Sequence, residues 1–188
     1  MRPWSRDDRG ASMVEVGILL PILLMLAVGL SEIGFLVIDY ITVTNAARSG
    51  ARTGAAAAND PSADDSILDV VEEDVCNLRY GDVVSVQIYK ADPSDGSMPD
   101  PVSSGLVNTY IPGGPLQCDA VGHAFVCDPS LSCTWDPAGR DNVPPGFDAV
   151  GVRIVFSHTY VVGLLPFPTG PFHEDVVMQL EPDTSLGP

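Results

Sequence analysis

The hydropathy pattern divides the chain into one long apolar stretch and, after it, short alternating ones. From Met13 to Ile38 the side chains are apolar, interrupted only by Glu15, Ser31, Glu32 and scattered Gly and Pro21. As a helix these 26 residues would be about 39 Å long, enough to cross a bilayer core of about 30 Å. The first part is apolar on every side, as a lipid-facing helix must be. A secretory signal has a core of about 7–15 residues ending at a small-residue cleavage site. Here the nearest such site, Ala55-Ala56-Ala57, lies about 17 residues past the apolar end. The pattern therefore predicts a membrane helix. Pro21 is tolerated in lipid when its surroundings satisfy the freed carbonyl, and it is expected to bend the helix.

Asp39–Ala58 is amphipathic and rich in small residues, so Ala11 to about Ala58 reads as one continuous helix. Ala46, Gly50, Gly54 and Ala57 recur at three- and four-residue spacing and share a face. Two glycines inside a helix cost about 1 kcal/mol each. A seam that lets another helix or a sheet approach closely is a reason for that cost. Asn59-Asp60-Pro61-Ser62 breaks the helix. Ser62 is placed to cap a second one, with Asp64 and Asp65 in its first turn and Ile67, Leu68, Val71, Val75 and Leu78 on its apolar face; Tyr80-Gly81-Asp82 ends it. Val83–Lys90 alternates as a strand, with Val84, Val86, Ile88 and Lys90 on one face. Ala149–Val162 is a second strand, with Val150, Val152, Ile154 and Phe156 on one side. Leu164–Pro171 is an apolar, proline-rich turn, and His173–Glu181 is a closing strand. Between Ala91 and Gly146 the sequence is irregular, with short strands expected at Leu106–Ile111 and Ala124–Cys127. A loop of that length implies function or covalent staples.

Charge sharpens the division. The whole net charge of −16 arises beyond residue 58, where four basic residues (Arg79, Lys90, Arg140, Arg153) face twenty acidic ones; before it, five Arg balance five Asp and Glu. An acidic module of this kind is repelled by nucleic acid, whose binding needs basic patches. Arg2, Arg6 and Arg9 precede the apolar span and favour a cytoplasmic N-terminus. Cys76, Cys118, Cys127 and Cys133 all lie on the other side, an even count that reads as two disulfides in an exported domain. Three connectivities are possible; the preferred one is Cys127–Cys133 as a local loop and Cys76–Cys118 tying the second helix to the irregular segment.

Glu15 lies four residues past Ala11, just inside the apolar run. A carboxylate near the middle of a membrane helix costs roughly 2.5 kcal/mol or more, and less toward its edge. Cleavage between Gly10 and Ala11 would free an α-amino group one helical turn away, within i,i+4 reach of Glu15; the amine can instead meet Glu15 of a neighbouring subunit. Glu32 is about 25 Å further along the helix. It needs the outer interface, a proton or a partner's cation.

Other chemistry is disfavoured. Cys118, His123, Cys127 and Cys133 lack the paired spacing usual in structural zinc sites. The acidic stretch Asp92–Asp100 lacks the alternating ligands and terminal Glu of a calcium loop. No phosphate loop, nucleophile elbow or His-Glu-x-x-His motif is present, and neither His158 nor the His173-Glu174 pair forms part of a catalytic constellation. The expectation is a protein without enzymatic activity, cofactor or metal.

Residues 9–56 resemble the N-terminal domain of TadE-like proteins, minor pilins (pseudopilins) of the tight-adherence (Tad, Flp) pilus machinery. The resemblance rests on Arg9-Gly10 with Glu15 fifth after the cut, on Pro21 in the apolar run, on Gly29-Leu30-Ser31-Glu32-Ile33-Gly34 and on Asn45-Ala46-Ala47-Arg48-Ser49-Gly50-Ala51-Arg52. Ile33, Ser49 and Val16 depart from the family's usual residues. Val177–Pro182 is loosely similar to its closing strand. The resemblance implies an α+β, pilin-like fold: a long N-terminal transmembrane helix packed on a small antiparallel sheet, here with a disulfide-stapled loop. It divides the chain into a basic leader (1–10) removed by prepilin peptidase, a TadE-like helix (11–58) and an acidic extracytoplasmic domain (59–188). The implied role is in assembly, initiation, tip or base of the pilus. The implied partners are other pilin subunits, Tad inner-membrane platform proteins, the peptidase and membrane lipid, with the protein single-pass in the cytoplasmic membrane. The alternative is a membrane-anchored binding or adhesion module that grips its target through residues 91–146.

Overall fold

The structure, a computed structural model, describes residues 6–100, 105–118, 122–131, 133–143, 146–163 and 169–182, with the backbone alone at 6–9 and Ala11. Helix α1 (Arg6–Ala57) runs unbroken through Pro21 for 52 residues. It begins five residues before the expected start, so residues 6–10 are continuous with it. Ala58 ends it in the left-handed conformation, φ 51°.

Helix α2 (Ala63–Val75) follows. Ser62 stands at its N-cap position but makes no side-chain cap, contrary to expectation. Asp60, two residues earlier, engages Ser62 instead: its Oδ1 accepts both the backbone N–H and the hydroxyl of Ser62 at 2.8 and 2.7 Å, and this turn holds Asp60 below the usual carboxylate range. The helix stops at Val75, and Cys76 caps it through backbone bonds to Asp74 and Glu72. Leu78 is therefore a core residue beyond the helix, and Gly81 opens a strand instead of closing the helix.

A five-stranded sheet has the order β3-β2-β1-β6-β7, with every pair antiparallel. Its strands are β1 (Gly81–Lys90), β2 (Val107–Pro112), β3 (Phe125–Cys127), β6 (Ala149–His158) and β7 (Phe172–Gln179); β4 (Asn142–Val143) and β5 (Gly146–Phe147) form a separate two-stranded ribbon. Expected Ala149–Val162 thus stops at His158. Of the expected turn 164–171, residues 164–168 lie outside the described residues. The irregular segment 91–146 contains β2 and β3 near the expected places, and a 3-10 turn at Pro137–Gly139.

Strand β1 does not follow the simple alternation. A bulge between Val83 and Ser85 shifts its register against β6. A one-residue shift moves the following side chains to the opposite face. Val83 therefore joins Val86 and Ile88 in the core while Val84 is exposed.

Both helices cover one sheet face. Val43, Ala46, Ala47 and Ala51 of α1, Ile67, Leu68, Val71 and Val75 of α2, and Val150, Val152, Ile154 and Phe156 of β6 form one buried cluster with Val86 and Ile88. The other face carries a smaller cluster around Tyr89, Ala91 and Val107. Tyr89 lies across Gly151, its strand partner, so closely that a Cβ there would stand 2.2 Å from the ring; only glycine leaves that space. The tail after β7 is stitched back to α1 by the Glu181 N–H donating to the Ala55 carbonyl at 2.9 Å.

Candidate functional site

Helix α1 has two regimes. From Met13 to Leu26 the large apolar side chains stand exposed, with none of the described residues of the domain covering them. From Gly29 onward one face is covered, through Glu32, Asp39, Val43, Ala46, Ala47, Gly50, Gly54 and Ala58. An 18-residue window of the helix has mean hydropathy 2.5 and is 6% buried. By length and composition, this helix can cross a membrane as a single span.

Gly10 and Glu15 lie on the bare end. Both are exposed, a Cβ at Gly10 would meet nothing within 4 Å, and Ala11's side chain lies outside the described residues. In the uncut chain Ala11 carries an amide, not an amine, and Glu15 has no hydrogen bond or ion pair among the described residues.

The small-residue face meets this chain's own domain. A Cβ on Gly50 would stand 2.7 Å from Val71 Cγ2 and 3.4 Å from Val152 Cγ1; one on Gly54 would stand 2.8 Å from Ile67 Cδ1 and 3.3 Å from Val150 Cγ1. Both glycines thus let α2 and β6 approach α1 within side-chain contact. Ala46 is fully buried with them. Ala57, at the last helical position, is only half-buried; Ala47, Ala51, Ala55 and Ala58 complete the seam.

Buried carboxylates tie this assembly together, and the sequence reading found only one of them. Glu32 is 4% exposed. Its oxygens accept the backbone N–H groups of Val161 at 3.0 Å and Val162 at 2.6 Å, so two donors of its own chain serve it. Seven residues on, Asp39 is fully buried. Its Oδ2 lies 2.7 Å from His158 Nδ1, and its Oδ1 accepts the Arg79 N–H at 3.4 Å. Glu72 of α2 clamps the irregular segment by accepting the N–H groups of Gln117 and, at 2.7 Å, Ala124. Asp64, in the first turn of α2 as expected, is buried and paired with the Arg140 guanidinium. It also accepts from Asn108 Nδ2 at 2.7 Å and from the Tyr110 hydroxyl at 2.8 Å. Burial first, and the Asp64 charge second, push the Tyr110 phenol up. Arg140 stacks over the Trp135 ring at 4.1 Å, and Asn108 bonds both the N–H and the carbonyl of Trp135.

The disulfides are Cys76–Cys118 and Cys127–Cys133. The first fastens the end of α2 to the same segment that Glu72 holds; the second closes a short loop after β3. His123 lies 3.3 Å from Asp65, and His173 is exposed on β7. Asp92 and Asp95 accept N–H bonds from Ser94 and Ser97 in tight turns. Among the described residues no group of three or more His, Cys, Asp or Glu side chains is gathered as a metal would need.

The chain thus presents a bare apolar helix with an exposed Gly10, an early glutamate and a small-residue seam. Residues 10–52 match the profile of a family described as TadE-like protein. The N-terminal segment is TadE-like. The matched residues lie wholly within α1 and stop before the seam's Gly54. No curated protein and no solved structure matches the chain. The TadE-like segment is thus the bare helix and the first part of the seam, joined to an α+β domain.

Proposed function

We propose that this protein is a structural minor pilin of a Tad-type pilus, acting in assembly, initiation or the tip of the fibre or in its membrane-bound base. One observation carries the reading: the TadE-like match coincides with a helix whose N-terminal half is apolar and exposed and bears an exposed Glu15 with no hydrogen bond or ion pair among the described residues. Such a surface is complementary to equivalent helices and to lipid. A carboxylate in that surface would be matched by the α-amino group that cleavage after Gly10 would create.

In this reading the protein crosses the cytoplasmic membrane once, N-terminus in the cytoplasm, with its acidic domain outside, and its partners are other pilin subunits, platform proteins and the prepilin peptidase. It acts by packing and not by catalysis, with no cofactor. The test is Glu15→Ala in the native host. Synthesis and membrane insertion should persist while the protein is depleted from sheared surface fibres. Normal incorporation of the variant would refute the role given to Glu15 and, with it, the pilin reading.

A further inference from the structure

Glu32 lies where α1 passes from bare to covered. A bilayer core of about 30 Å takes about 20 helical residues, so a span that begins at Met13 ends at about Glu32. The turn that Glu32 holds, Tyr160–Gly163 after β6, is therefore at the level of the lipid on the domain side. It carries Val161 and Val162, 56% and 50% exposed, with nothing of the described domain over them. Beside it Phe35 of α1 packs on Tyr80, ring centroids 4.7 Å apart, next to exposed Arg79; aromatic and basic residues of this kind favour a membrane–water boundary. Two polar problems also cancel here. Backbone N–H groups near lipid must be satisfied within the protein, and a carboxylate in an apolar helix needs donors. The Glu32 oxygens and the Val161 and Val162 amides supply each other.

We propose that the Tyr160–Gly163 turn is a membrane-contact element: it enters the interfacial layer beside α1, with its valines against lipid and its amides held by Glu32. The occupant of this apolar surface is lipid, because the turn is continuous with the face of the membrane span. The inference rests on α1 crossing the bilayer. It fixes the domain's height above the membrane before any fibre forms.

The experiment uses the full chain reconstituted in phosphatidylcholine vesicles, with single cysteines carrying the fluorophore NBD. The four native cysteines are all in disulfides, so Val162→Cys, Leu23→Cys and Val143→Cys label selectively. Leu23 is exposed in the apolar run. Val143 is exposed at the far end of the domain, beside Asn142, which bonds Asn59, about 40 Å from Glu32 along α1. Nitroxide-bearing lipid should quench Val162-linked NBD at least half as strongly as Leu23-linked NBD, and leave the Val143 label unchanged. Quenching at Leu23 with none at Val162 would overturn the proposal and leave the span intact. A blue-shifted but unquenched Val162 label would also overturn it, by showing protein cover. Absence of quenching at Leu23 as well would overturn the span and the proposal together.

Discussion

Replacing Arg140 by Met tests how the irregular segment is held. The guanidinium is fully buried against Asp64, whose side chain is 8% exposed. Breaking a buried ion pair from one side typically costs about 3–5 kcal/mol, because a charge stays behind without its partner. Asp64 retains two donors, Asn108 and Tyr110, and Met keeps an apolar contact over Trp135. The expected cost is therefore at the lower end, about 3 kcal/mol. With a urea dependence of about 2 kcal/mol per molar, the midpoint falls by about 1.5 M. Trp135 is 6% exposed beneath Arg140. Its fluorescence, read with Trp4 replaced by Phe, reports this transition in the full chain held in mild detergent. Asp64→Asn combined with Arg140→Met removes both charges together, and should lose less than the sum of the single variants. A midpoint shift below about 0.5 M for Arg140→Met, or additive losses in the double variant, would refute the pairing as the element that holds the segment.

Three further outcomes are expected. Gly54→Leu drives a side chain into Ile67 and Val150 and should destabilise the domain by about 1–3 kcal/mol, seen as a lower thermal midpoint; an unchanged midpoint would refute the seam. Cys76 and Cys118 are 42 residues apart and Cys127 and Cys133 only 6, so by loop closure the Ser double variant of the first pair should cost about 4 kcal/mol against about 2 for the second, measured by denaturation; the reverse order would contradict the entropic account. Tyr89 is pushed up to about 12, chiefly by burial and next by the charge of Asp175. Its contribution to stability is complete below pH 10 and is lost as pH rises toward 12, and ultraviolet titration of Tyr89→Phe against the parent should remove one phenolate appearing near that upper value.

Periodicity found the elements because helix and strand burial repeat at 3.6 and 2 residues. The long helix, its glycine seam and the Val150–Phe156 face all follow from that. The first strand defeated it, because a single bulged residue at Val83–Ser85 reverses the face and no sequence period records a bulge. Ser62 misled because Asp60, two residues earlier, competes for its N–H and hydroxyl. The buried carboxylates divide into those with a trace in the sequence and those without. Glu32, Asp39 and Ala46 recur every seven residues along the covered face of α1, and Glu72 falls between Leu68 and Val75 on the buried face of α2. Acids at apolar spacing are the sequence signal that marks Asp39 and Glu72. Asp64 and Arg140 left no such trace. They meet across 76 residues, and only the folded path of the irregular segment brings them together.

The central claim is that α1 is a processed pilin helix whose new amine answers Glu15. The direct measurement is the N-terminal residue and intact mass of the protein isolated from its native membranes. The account predicts a start at Ala11, with two disulfides in the mass. A start at Met1 would contradict it, leaving a permanently anchored protein in which Glu15 has no amine to meet.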